Sequence, residues 1–443
     1  MKLKLSTTQL VMLTFALTII VGTCLLMLPI STKSGVVTSF EDALFTATTS
    51  TCVTGLVVLP TFSHWSFFGQ TVILFLIQIG GLGIITVMSA IMLTLKKRLG
   101  LGDSVIIKDS FNLNTLSGIS RFVKKVVLFT LFFEGAGMLV YLTVFVPEFG
   151  VHGIWYSLFN SVSAFCNAGL DVIGENSLMN YLTDPVINLT TSILIVAGGI
   201  GYTVWFDIYD TFKKKRGVRY LTLHSKIALS TTAILLLFST VLFFIFEYNG
   251  TALKGLGFFE KLQACFFQSV TTRTAGFATV DQALITDSSA FLSLFLMLVG
   301  GSPVGTAGGI KTVTLAVLVF AGLSAVKNEE STTVFSRTVP SETVKKAIAV
   351  TLMSLSTVFI STLLLLTFTD APLLDVIYET VSATATVGLT RNLTPTLGLW
   401  GKVIIIFTMY IGRIGPISLA LAFKTKKQKI RSVKFPSEKI SVG

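Results

Sequence analysis

Long apolar runs alternate with short ones along this chain. Runs long enough to span a bilayer, about 20 residues, fall at 9–30, 71–95, 126–146, 186–208, 227–246, 291–320, 347–368 and 403–423. A shorter apolar segment follows the first, third, fifth and seventh, near 43–51, 154–165, 259–270 and 374–383. Each is roughly 10–13 residues, too short to cross and closer to a re-entrant segment. Such backbone survives at membrane depth only where protein or a water-filled cavity satisfies its polar groups. The pattern predicts an all-α integral membrane protein with eight transmembrane helices and four re-entrant pore loops.

The short segments are copies of one another. They read FTATTSTCVTGL from Phe45, FNSVSAFCNAGL from Phe159, FFQSVTTRTAGF from Phe266 and YETVSATATVGL from Tyr378. Aligned without gaps, each carries an aromatic residue ten positions before a glycine: Gly55, Gly169, Gly276 and Gly388. The copies follow one another by 114, 107 and 112 residues. A glycine-rich element recurs in the next span: Gly80-Gly81-Leu82-Gly83, Gly198-Gly199-Ile200-Gly201, Gly300-Gly301 and Gly412-Arg413-Ile414-Gly415. Small residues are common in membrane helices because they allow close packing, but that does not produce four matched copies. The unit is span, re-entrant segment, span. Two spans per unit give all four copies the same orientation. The units divide as 1–110, 111–221, 222–340 and 341–443.

Four parallel copies about an axis normal to the membrane enclose a pore. Each short helix would end mid-membrane, with about half an elementary negative charge at its C-terminus. The extended returns would then aim carbonyls at a bare ion. These returns are Val53-Thr54-Gly55, Asn167-Ala168-Gly169, Thr274-Ala275-Gly276 and Thr386-Val387-Gly388. None of them contains a carboxylate, so dipoles suited to a monovalent cation would do the binding.

Charge sets the orientation. Of 34 basic residues, 26 lie in the loops after the second, fourth and sixth spans and at the two ends, with only 8 of the 22 acidic residues. The other loops hold 6 basic and 13 acidic residues. The Lys/Arg bias places both termini in the cytoplasm. The net charge of +12 therefore reflects topology, not nucleic-acid binding. Charged residues make up 13% of the chain and hydrophobic ones 52%, against about 25% charged in a soluble domain. That excludes a soluble enzyme. His64, His152 and His224 are scattered, and no CxxC pairs Cys24, Cys52, Cys166 or Cys265, which read as core thiols. A membrane enzyme or scaffold would lack any catalytic cluster.

These residues resemble the Trk/Ktr/HKT superfamily of potassium transporters, most of all bacterial Ktr membrane subunits of the KtrB/KtrD type. The likeness covers nearly the whole chain. It includes MLPIST at 27–32, FGQTVILFLIQIGGLG from Phe68, TTRTAGF from Thr271 and YIGRIGP from Tyr410. It implies a fourfold pseudosymmetric, channel-like subunit in the cell membrane that dimerises with itself. It also implies a cytosolic ring of nucleotide-binding, RCK-type regulatory subunits. K⁺ would bind at the filter only, no cofactor would sit in this chain, and Na⁺ as an activator stays open. A Na⁺-selective or Na⁺/H⁺-coupled symporter on the same fold is the alternative. The basic loops suit either the regulatory partner or anionic lipid.

Charged residues inside spans stand out, because an Arg there costs roughly 2.5–3.5 kcal/mol. Arg413 is placed by the resemblance beneath the filter; the plainer reading has it snorkelling to the interface. Lys311 follows Gly300-Gly301-Ser302-Pro303-Val304-Gly305-Thr306-Ala307-Gly308-Gly309, a run unsuited to helix. The resemblance makes this run, 300–309, an intramembrane gating loop; a packing kink is the plainer reading. Arg273 either points away from the axis, toward an acid such as Glu379, or tunes ion access. Glu134 reads as the one intramembrane carboxylate, either joining helices or serving as a proton or cation site.

Overall fold

The computed structural model describes residues 7–83, 86, 87, 89 and 119–415. The inner end of the second span, the first basic loop and the basic tail lie outside the described residues.

In chain order come α1 (Thr7–Leu26), α2 (Phe40–Cys52), α3 (Phe67–Leu82), α4 (Ile119–Phe149), α5 (His152–Cys166), α6 (Pro185–Ile200) and α7 (Tyr202–Lys213). Then follow α8 (Leu223–Glu247), α9 (Phe258–Thr271), α10 (Asp287–Leu298), α11 (Thr312–Val326), α12 (Ser341–Leu366), α13 (Leu373–Ala385) and α14 (Leu399–Ile414). Among the described residues, α1, α4, α8 and α12 are long and apolar enough to cross a membrane. Most of their surface is unburied, as lipid-facing helices require.

The four short helices are the inner elements. Residues 45–52 of α2 are all buried, although six of the eight are Thr, Ser or Cys. Ser39 caps α2 by accepting from the Asp42 amide at 3.3 Å. Glu41 and Asp42 in its first turn suit the positive end of the helix dipole. Helices α2, α5 and α13 each stop at a left-handed residue: Val53 (φ 56°), Asn167 (φ 60°) and Thr386 (φ 53°). The glycines of the following helices lie against these ends. A methyl on Gly80, Gly198 or Gly412 would strike the carbonyl oxygen of Thr51, Phe165 or Thr384. Close backbone approach is therefore the physical reason for the second recurring glycine element.

Several expectations need correction. The run 186–208 is not one continuous span, because α6 and α7 meet at 92° around Gly201. The chain is mostly helical, with a short strand pair in which Thr333–Val334 pairs antiparallel with Arg337–Thr338. Cys24 is exposed, whereas the other three thiols are buried. Glu134 is one of several buried carboxylates. Glu379 is fully buried on α13, and Glu247 is buried at the end of α8.

The third copy also departs from the gap-free alignment. Phe45, Phe159 and Tyr378 are fully buried, but in α9 that place belongs to Phe267 rather than Phe266. The helix is shifted by one residue, and α9 ends in a right-handed Thr272. Thr274 (φ 64°) then restores the left-handed geometry.

Candidate functional site

The four return strands share one conformation. Val53, Asn167, Thr274 and Thr386 have positive φ, and so do the glycines two residues on: Gly55 (96°), Gly169 (65°), Gly276 (82°) and Gly388 (97°). Thr54, Ala168, Ala275 and Val387, between them, do not. Alternating hand turns successive carbonyls toward one side, unlike the peptides of an ordinary strand.

The glycines close a ring. A methyl on Gly55 would lie 2.6 Å from the Ala168 oxygen, and one on Gly169 2.5 Å from that of Ala275. Likewise Gly276 abuts the Val387 oxygen, and Gly388 abuts that of Thr54. Each glycine thus faces the carbonyl preceding the glycine of the next copy, in the cyclic order one, two, three, four, one. Both the left-handed φ and the missing Cβ are required here.

One hydroxyl on each short helix ties its strand down. Thr49 Oγ1 accepts from the Gly55 amide and Ser382 Oγ from that of Gly388, both at 3.0 Å. Ser163 Oγ donates to Leu170 O at 2.5 Å and Thr271 Oγ1 to Phe277 O at 2.6 Å. Sequence reasoning passed over these four. The signal was a Ser or Thr six residues before the glycine, or five in the third copy.

The run 300–309 packs against the foot of this ring. Ser302 N and Thr306 N donate to Gly199 O and Gly198 O at 2.8 and 3.1 Å, and Tyr202 N donates to Val304 O at 3.1 Å. Gly201 (φ 95°) lies against Pro303, so the loop occupies the bend between α6 and α7. Thr306 Oγ1 donates to Phe165 O at 3.1 Å and lies 3.3 Å from the Asn167 amide. A methyl on Gly300 would meet Thr274 Cγ2 at 2.9 Å, and one on Gly308 would meet Ala385 O at 2.6 Å. The loop therefore borders the second, third and fourth copies. Gly301, Gly305 and Ala307 face Gly199, and Gly309 lies near Ala385.

Arg413 completes the foot. Its Nη1 donates to Thr306 O at 2.7 Å and its Nη2 to Gly80 O at 2.5 Å. The guanidinium thus bonds backbone carbonyls of the loop and of the first copy, rather than snorkelling. Lys311 Nζ donates to Ala307 O at 2.6 Å and so braces the loop from within. Arg273 does not meet Glu379; its Nη2 donates to Thr232 Oγ1 on α8 at 3.2 Å. Glu134 accepts from Gln78 Nε2 at 3.3 Å and lies beside Cys166, which joins α3, α4 and α5.

The candidate donors are the strand carbonyl oxygens; the buried hydroxyls of Thr54, Thr274 and Thr386 have no partner within the protein, and that of Thr386 lies against Gly308. Hard oxygen dipoles without a carboxylate suit a monovalent cation. Among the described residues, no group of three His, Cys, Asp or Glu could hold a transition metal.

A family model described as TrkH, cation transport protein, matches residues 2–434. The chain belongs to this family. It is 38% identical to the potassium/sodium uptake protein NtpJ of Enterococcus hirae, over 99% of this chain and 98% of that protein. It is 40% identical to the Ktr system potassium uptake protein B of Bacillus subtilis, over 98% and 96%. The crystal structure of the potassium transporter TrkH from Vibrio parahaemolyticus superposes with a TM-score of 0.77 at 18% identity, covering 96% of this chain and 86% of that one. The chain is thus a multi-pass membrane protein of a cation-transport family, and these relatives are named as transporters, not enzymes.

Proposed function

We propose that this chain is the ion-conducting subunit of a Ktr-type system and passes K⁺ into the cell. The closed ring of four glycines and neighbouring carbonyls carries the reading. It supports a fourfold pseudosymmetric pore of four parallel units, 1–110, 111–221, 222–340 and 341–443, with the twelve strand residues as its filter. Relatives named as potassium uptake proteins support K⁺ as cargo. An inside-negative potential contributes about 2.3 kcal/mol per charge per 100 mV, so downhill conduction needs no alternating access.

The loop 300–309, with Lys311 and Arg413, is the gate. It lies directly against the filter and places two cationic side chains there. The chain works as a homodimer on a cytosolic nucleotide-binding ring, with both termini cytoplasmic. The name "Ktr system" on the Bacillus subtilis relative supports a multi-component assembly.

Expression in cells lacking their own K⁺ importers tests this reading. Growth on low K⁺ is the expected result; failure there despite membrane expression refutes it. The potassium/sodium name of the Enterococcus hirae relative favours a second reading, Na⁺ coupling. K⁺ uptake that requires external Na⁺ would establish it.

A further inference from the structure

Behind the glycine ring, one position on each short helix is polar in all four copies. With the third copy's one-residue shift applied, it holds Thr46, Asn160, Gln268 and Glu379. All four are buried, but they are used differently. Thr46 spends its hydroxyl on its own helix, donating to Asp42 O at 2.9 Å. Asn160 has no partner at either end of its amide. Gln268 exchanges hydrogen bonds with Gln282, six residues past Gly276, at 2.6 and 3.1 Å.

Glu379 goes furthest. Thr390 Oγ1, two residues past Gly388, donates to its Oε2 at 2.6 Å. Thr394 Oγ1, six residues past Gly388, donates to its Oε1. The Thr390 oxygen also accepts from the Leu393 and Thr394 amides at 3.2 and 3.4 Å. Its lone pairs are thereby engaged, which leaves its hydrogen for the carboxylate. Among the described residues no cation bonds Glu379; nearby Arg391 pairs with Asp375 instead. These two hydroxyl bonds on one carboxyl group join helix α13 to the chain leaving the filter.

We propose that Glu379 is a positioning residue for the ion filter. Through Thr390 and Thr394 it fixes the strand of the fourth copy, and with it the Gly388 carbonyl geometry that sets cation affinity and K⁺/Na⁺ preference. The inference rests on the filter reading above. It goes beyond that reading by making the filter's support unequal around the ring: a carboxylate clamp in the fourth copy, an amide pair in the third and no clamp in the first.

The test compares Glu379→Gln, Thr390→Val and Thr390→Ser with Thr46→Val as control, each in the full chain. Half-saturating K⁺, maximal uptake rate and K⁺/Na⁺ preference are measured at matched membrane levels. Glu379→Gln and Thr390→Val are expected to raise half-saturating K⁺ about five- to tenfold and to lower the preference. The maximal rate should fall less. Thr390→Ser keeps the hydroxyl and should stay within about twofold of the native protein, as should Thr46→Val. If Glu379→Gln does not reach the membrane, Thr390→Val, nearly isosteric, decides alone. Unchanged half-saturation and preference in Thr390→Val would overturn the proposal, and so would a matching shift in Thr390→Ser. If the native chain carries Na⁺ rather than K⁺, the K⁺ reading fails. The same comparison made on Na⁺ flux then decides the clamp.

Discussion

At the residue scale, the four ring glycines are under two constraints at once. Positive φ costs an L-residue roughly 1–2 kcal/mol, and any Cβ here meets a carbonyl of the neighbouring copy. Replacing Gly169 by Ser should therefore displace the Ala275 carbonyl as well as strain its own strand. The expected outcome is at least about a tenfold rise in half-saturating K⁺ with a lower K⁺/Na⁺ preference, read from uptake competition. Unchanged selectivity in Ser variants of all four glycines would mean that these strands are not the filter. The glycines were legible because a glycine at one fixed offset in four copies has few physical causes. The hydroxyls of Thr49, Ser163, Thr271 and Ser382 were not. Ser and Thr abound in membrane helices, and nothing local separates an i−4 hydroxyl from one that reaches the strand beyond.

At the element scale, legibility followed how local the cause was. The break in 291–320 is written into its own residues, Gly, Ser and Pro in one run, and 299–311 is non-helical as that composition demands. The bend between α6 and α7 has a distant cause. Gly201 permits it, but Pro303 and Val304, about a hundred residues away, occupy the space and bond Tyr202. Apolar periodicity over 186–208 carries no trace of that contact. The same contact bears on gating. The loop is held by Gly198, Gly199, Phe165, Tyr202 and Arg413, so releasing it exchanges several hydrogen bonds together. Deleting residues 304–308 removes the centre of this contact set and the Thr306 carbonyl on which Arg413 rests. Ion flux in vesicles should rise severalfold. Equal or lower flux in a variant that still reaches the membrane and melts like the native protein would leave the loop a packing element.

At the scale of the whole molecule, a ring must close between its first and last copies. Neighbouring copies are joined by hydrogen bonds between them. Trp155 Nε1 donates to Gln70 Oε1 at 2.9 Å, and Leu178 N donates to Ala278 O at 3.0 Å. Tyr378 and Arg391 both donate to Gln282. The last junction is ionic: Lys402 Nζ on α14 lies 2.5 Å from Asp42 Oδ1 on α2. The four copies were legible as repeats in the sequence. This closing pair was not, because its partners stand 360 residues apart. Both side chains are mostly buried, with 16% and 19% of their surface exposed. Removing one therefore leaves a poorly solvated charge, costing more than the pair itself contributes. Lys402→Met should lower the melting temperature in detergent by a few degrees, corresponding to about 1–2 kcal/mol. Asp42→Asn in the same chain should recover part of that loss, because the orphaned charge is gone. Strictly additive losses in the double variant would show that the ends of the ring close without this pair.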